Sequence, residues 1–152
     1  MTVEVREATP ADLPSILALY SQLGMDTGEV LPLKRAKEIY DTLQSYPDYK
    51  LYVAIQKSMP VGSFGLLIMD NLGHQGAPSG IVEDVVVRED VRRQGIGKKM
   101  MEIAVHKCRE RGCYKIVLSS NLQRVSAHKF YESLGYRKHG ISFFIDLHKE
   151  EA

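Results

Sequence analysis

Ile81-Val82-Glu83-Asp84-Val85-Val86-Val87, followed after four residues by Arg92-Arg93-Gln94-Gly95-Ile96-Gly97, decides the fold of this chain. Five of the first seven residues are β-branched, which predicts a strand. From about Gly97 to Arg111 the apolar residues Met100, Met101, Ile103, Ala104 and Cys108 recur at helical spacing, and Gly112 suits the helix C-terminus. A strand that turns through two glycines into a helix leaves the first helical amides without carbonyl partners, and the helix dipole adds positive potential there. Together these make an anion site large enough for a pyrophosphate. Arg92, Arg93, Lys98 and Lys99 add charge around it.

Two better-known phosphate turns do not match. A dinucleotide-binding turn would have a third glycine where Met100 stands, and a nucleoside-triphosphate loop would carry Gly-Lys-Ser/Thr.

Towards the N-terminus, Leu51-Tyr52-Val53-Ala54-Ile55 and the run from Val61 to Met69 read as antiparallel strands, with Lys57-Ser58-Met59-Pro60 as the hairpin turn. Asp70 to Gly80 is a polar loop. Before the hairpin, Val3 and Val5 suggest a short strand, and Thr9-Pro10-Ala11-Asp12 opens a helix with Leu13, Ile16, Leu17 and Tyr20 on one face. A loop from Met25 to Pro32 leads to a second helix, roughly Leu33 to Leu43.

Towards the C-terminus the pattern gives a strand at Tyr114-Lys115-Ile116-Val117-Leu118, a helix from Ser126 to Leu134, and a last strand from Ile141 to Leu147. The expected class is α/β (α+β mixed): one domain over residues 1–152, with a mostly antiparallel mixed sheet flanked by helices on both faces.

Composition narrows the function. With 152 residues, 44% hydrophobic, the chain can close a core, and a formal net charge of +1 gives no field to hold nucleic acid or an anionic membrane. No apolar run approaches the ~18 residues of a membrane span, and the start carries no secretory pattern, so a cytoplasmic protein is expected. Cys108 and Cys113 read as reduced and structural. No His/Cys/carboxylate spacing argues for a metal.

Taken together, Arg92-Arg93-Gln94-Gly95-Ile96-Gly97 resembles the Gln/Arg-x-x-Gly-x-Gly/Ala motif of the GNAT superfamily of N-acetyltransferases. Asn121, Ala127 and Phe130-Tyr131-Glu132-Ser133-Leu134-Gly135-Tyr136 resemble its second block. The resemblance spans roughly residues 81 to 136. It implies acetyl-coenzyme A as co-substrate, with no metal. The amides of Gln94, Gly95, Gly97 and Lys98, flanked by Arg92 and Arg93, would face the pyrophosphate, while the backbone of Val85 and Val87 would pair with the pantetheine arm. Asn121 would contact that arm or fix the site, and Tyr131 would protonate the leaving thiolate.

The chemistry is consistent with those roles. Attack on a thioester needs donors for an oxyanion and a proton for the thiolate, while the acceptor ammonium, with a pKa near ~10.4, must first lose a proton. Glu83 and Asp84 are the bases available, and strand alternation puts them on opposite faces, so at most one should face the acceptor directly. His74, His128 and His139 are weaker alternatives.

The acceptor is expected to be a small-molecule amine. Leu118-Ser119-Ser120-Asn121 and Ala127-His128-Lys129-Phe130-Tyr131 are similar to aminoalkylphosphonate N-acetyltransferases, and Gly112-Cys113-Tyr114-Lys115-Ile116 to glucosamine-6-phosphate N-acetyltransferases. The rival reading is a non-catalytic coenzyme A-binding module with a regulatory or transcription-linked role. An unpaired Ile141-Ser142-Phe143-Phe144-Ile145 strand would leave a sticky edge, which favours a homodimer.

Overall fold

Five strands hydrogen-bond in chain order: β1 (Glu4–Glu7), β2 (Tyr49–Gln56), β3 (Met59–Met69), β4 (Ser79–Val87) and β5 (Lys115–Leu118). The first three pairings are antiparallel and the last, β4 with β5, is parallel, joined by a crossover connection that contains a helix. This computed structural model describes residues 2–148, and the chain divides between Leu118 and Ser119 into two compact units.

In the first unit, helices cover both faces of the sheet, as the sequence predicts. Helices α1 (Leu13–Gln22) and α2 (Leu33–Gln44) pack on one face, where Leu13, Ile16 and Ala36 bury against Val53. The opposite face takes α3 (Ile96–Glu110), whose Met100, Met101, Ala104 and Cys108 are buried. Glycine makes that second contact close. A Cβ on Gly62 would stand 2.7 Å from the Met100 sulfur, and one on Gly80 would overlap the Cys108 sulfur.

Thr9 and Asp12 fix where the first helical turn begins. The Asp12 carboxylate accepts from the Thr9 backbone N–H at 2.7 Å and from Arg6 Nη1 at 2.7 Å, tying β1 to the helix start. Arg6 beside it, with the Thr9 amide, holds the Asp12 carboxyl below the usual carboxylate range although burial opposes this.

The β2–β3 turn is tighter than expected. Only Lys57 and Ser58 lie outside the ladder, both at positive φ (49° and 61°), while Met59 and Pro60 pair in β3. That is the turn geometry whose twist matches antiparallel strands, reached here without glycine.

The second unit holds α4 (Val125–Ser133). Its C-terminus closes with Gly135 at φ 93° and the Tyr136 N–H donating to the Tyr131 carbonyl at 3.1 Å. The expected strand from Ile141 to Leu147 is not formed: these residues pair with no strand among the described residues, and Ile141, Phe143 and Phe144 are 82%, 91% and 85% exposed. β-propensity marks a segment that suits a sheet, but the sheet has to be supplied by a neighbour.

Candidate functional site

β4 runs past its neighbour. Its ladder with β5 starts at Ser79–Lys115 and ends at Val82–Leu118, whereas β4 continues to Val87. On the other side β3 stays paired, and the Arg88 N–H donates to Val61 at 2.8 Å. By alternation, the backbone groups of Val85 and Val87 face the side that β5 has vacated. An extended ligand can complete the ladder there as an added strand would. The Val87 carbonyl already accepts from Gln22 Nε2 (3.0 Å) and Arg92 Nε (3.2 Å), which leaves its amide as the group on offer.

The turn beyond β4 is built as the sequence implies. Gly95 caps α3 at φ 79°, with no atom within 4 Å of where its Cβ would be. The Lys99 N–H donates to the Gly95 carbonyl at 3.1 Å, so the amides of Ile96, Gly97 and Lys98 precede the helical ladder. Arg92, Arg93, Gln94 and Lys98 are exposed around it, and Arg93 is itself at φ 63°. This geometry suits a pyrophosphate: backbone donors in open space, a helix N-terminus and flanking cations.

Two residues that position the turn escape a reading by motif. Gln56 Nε2, at the end of β2, donates to Gln94 Oε1 at 3.1 Å. Gln22, at the end of α1, receives the Glu89 N–H at 2.9 Å while it donates to Val87. Their partners lie 38 and 65 or more positions away, and the only local sign is a glutamine closing an apolar stretch.

Glu83 and Asp84 do not alternate. Gly65 of β3 pairs with Glu83 and Ser63 with Val86, so β4 carries an extra residue between them, and Asp84 sits at φ 52° in that bulge. Tyr49 lies over Gly65, its hydroxyl 2.7 Å from the position of a Cβ there. Burial, then the charges of Asp84 and Glu83, raise the Tyr49 phenol. Tyr20 of α1, beside the Ser63 hydroxyl, is raised by burial and then by Asp84. Both carboxylates therefore belong to the α1 face, contrary to the expectation from strand alternation.

Both side chains reach solvent, but desolvation by the surrounding protein lifts both carboxyls above the usual carboxylate range, and for Glu83 the neighbouring Asp84 adds to this. No basic side chain offsets either shift. Such a pair accepts protons more readily than free carboxylates and attracts an ammonium.

Asn121 and Tyr131 lie in the second unit. Asn121 is exposed, and its side-chain oxygen accepts the Gln123 N–H at 2.9 Å in the turn before α4. Tyr131 is buried against Phe130 and Tyr136, with ring centroids 5.2 and 5.7 Å away. Burial raises its phenol, with partial opposition from Arg124, so it stays protonated at neutral pH. Two of the histidines are otherwise engaged: His74 stacks on Tyr114 at 3.9 Å, and His128 Nε2 lies 2.8 Å from the Asn121 carbonyl. Among the described residues no group of three or more His, Cys, Asp or Glu side chains is placed to share a metal, and Cys108 and Cys113 are free thiols.

Known proteins agree with this geometry. The model of the acetyltransferase (GNAT) family matches residues 16–136. A glucosamine 6-phosphate N-acetyltransferase of Trypanosoma brucei brucei is 29% identical over 95% of this chain and 96% of its own. An aminoalkylphosphonate N-acetyltransferase of Salmonella typhimurium is 27% identical over 92% of this chain and 88% of its own. Among solved structures, a putative acetyltransferase from Agrobacterium tumefaciens superposes with a TM-score of 0.88 at 30% identity, covering 94% of this chain and 99% of its own. With a β4 that outruns β5 into an open glycine-capped helix start, and a family match over most of its length, this chain belongs to the GNAT family of acetyltransferases.

Proposed function

We propose that this chain transfers the acetyl group of acetyl-coenzyme A to a primary amine of a small molecule, by direct attack of the amine on the thioester. The observation that carries the reading is the vacated side of β4 from Glu83 to Val87, leading directly to the unpaired amides at the start of α3. Val85 and Val87 would receive the pantetheine arm, and Asn121 would contact that arm or fix the site. Gln94, Gly95, Gly97 and Lys98, with Arg92 and Arg93, would hold the pyrophosphate. No metal enters the scheme.

Glu83 or Asp84, directly or through water, takes the proton of the acceptor ammonium. The freed nitrogen then forms the N–C bond while the C–S bond breaks; the Tyr131 hydroxyl gives its proton to the departing sulfur, and the second proton shed by the nitrogen returns through water to restore the phenol. The raised carboxyls of Glu83 and Asp84 suit proton uptake, and the Tyr131 phenol is held in its protonated form. The small-molecule acceptor is supported by the relatives named above. In this reading the two units act as one domain over residues 1–152. The protein works in the cytoplasm as a homodimer, without nucleic-acid or membrane partners; a near-neutral charge and the lack of any helix long and apolar enough to cross a membrane, among the described residues, are consistent with that.

A thiol-release assay with acetyl-coenzyme A and a panel of aminophosphonates, amino sugars, polyamines, amino acids and aminoglycosides tests the proposal. Release with one class of amine above the hydrolytic background is expected. Thermal stabilisation by acetyl-coenzyme A with no release from any amine would instead support the non-catalytic binding module.

A further inference from the structure

The chain has two cysteines, Cys108 and Cys113, and the proposed acetyl transfer uses neither. Linear spacing offers the pair no joint role. The way α3 ends brings them together.

The helix closes with two backbone bonds around Gly112, which stands at φ 72°. The Gly112 N–H donates to the Arg109 carbonyl at 3.0 Å, and the Cys113 N–H donates to the Cys108 carbonyl at 3.0 Å. In a glycine-closed ending of this kind the residue just past the glycine folds back on the last helical turn, where its side chain meets that of the residue whose carbonyl it reaches. Both of those residues are cysteines here, and their thiols are hydrogen-bonded to each other. A direct backbone bond holds two Cα atoms within about 6 Å, inside the range of roughly 4.4–6.8 Å that a disulfide spans.

The two sulfurs differ in surroundings. Cys108 is buried, with its sulfur against Gly80 of β4, where a Cβ would overlap it. Cys113 is half-buried just before β5. Burial, and then Cys113, push the Cys108 thiol up to about 12, so Cys108 is not the sulfur that attacks first.

We infer that Cys108 and Cys113 form a reversible redox site that takes a small-molecule disulfide of the oxidised-glutathione class and closes into an intramolecular bond. The Cys113 thiolate attacks one sulfur of the external disulfide and expels one thiolate, leaving a mixed disulfide. Cys108 then gives its proton to water and attacks the Cys113 sulfur, which expels the second thiolate. Each leaving thiolate takes up a proton. Two protein thiols are oxidised and one external disulfide is reduced to two thiols, so no further reactant is needed. Contact between the two sulfurs offsets the small thiolate fraction of Cys108 in the second step. The bond fastens the end of α3 to the entrance of β5, and in a reducing compartment it forms transiently as oxidant rises.

Incubation of the full chain in mixtures of oxidised and reduced glutathione, followed by acid quench, alkylation and mass analysis, tests the site. The parent is expected to lose both alkylatable thiols and ~2 Da, at an oxidised-glutathione level at least ~10-fold lower than the same chain needs in denaturing urea. Tryptic cleavage at Arg109 and Arg111 should leave the two cysteine peptides joined. Cys108→Ser should stop at a glutathione adduct on Cys113, and folded Cys113→Ser should resist modification because its remaining thiol is buried. A parent that keeps two free thiols, or stops at the mixed disulfide, over the whole range overturns the proposal, as does a folded chain that closes no more readily than the unfolded one. An unmodified Cys108→Ser, or a folded Cys113→Ser that is modified at Cys108, overturns Cys113 as the point of entry.

Discussion

Glu83 and Asp84 are adjacent in the chain, yet the charges of both act on the phenol of Tyr49, because the bulge at Asp84 turns the second carboxylate back to the face of the first. The arrangement sets two acids side by side, and among the described residues no basic side chain offsets their shifts. Their charged forms are disfavoured in the folded protein, and this has consequences for rate and for stability.

For rate, the base must be ionised to act. The acid limb of kcat/KM is therefore expected above the usual carboxylate range. Asp84→Asn, which keeps a residue type tolerant of positive φ, should move that limb to lower pH if Glu83 is the base and abolish it if Asp84 is. For stability, a raised folded-state value favours folding most fully at low pH, below the unfolded pKa, and that advantage is lost as pH rises through the folded pKa. The same variant should thus melt higher than the parent at neutral pH and gain nothing in acid. A pH–rate profile with its limb in the ordinary carboxylate range for both proteins would remove either acid from the role.

Tyr131 is buried and protonated at neutral pH, as a proton donor to a thiolate has to be. Tyr131→Phe keeps the ring contacts with Phe130 and Tyr136, and should lower kcat by roughly 10²–10⁴ with little change in the affinity for acetyl-coenzyme A. Equal turnover in mutant and parent would exclude it as the acid.

At Gly95 the backbone is left-handed and the space above it is open. Gly95→Val should cost about 1–2 kcal/mol in stability for the strained φ and also block the cradle. Gly95→Asn, which accepts that φ, isolates the second effect: a melting temperature near the parent's, with acetyl-coenzyme A affinity reduced. Calorimetric titration of both variants reads the difference, and parental affinity in each would place the ligand elsewhere.

The Asp12 carboxylate serves Arg6 and the Thr9 amide together. Asp12→Ala should destabilise the fold by about 1–2 kcal/mol at neutral pH, through loss of the cap and of the pair with Arg6. Because the folded-state value lies below the unfolded one, this contribution is present above the unfolded pKa and disappears as pH falls through the folded pKa. Parent and variant melting curves should therefore converge in strong acid, and a constant gap down to that range would contradict the account.

Local chemistry was legible in the residues themselves. The β-branched run of β4, the two glycines before α3, the Thr9–Asp12 cap and the period of the helices all act over a few positions, so a linear reading places them, and with them the class of fold and the expected binding turn. Three features were decided only by the tertiary structure. The bulge at Asp84 is a mismatch between β4 and β3, and no property of β4 alone encodes it. Gln22 and Gln56 find their roles through partners far along the chain. The arm from Ile141 to Leu147 has the composition of a strand but forms no ladder, because pairing needs a second backbone at hydrogen-bonding distance, and side-chain pattern cannot provide one.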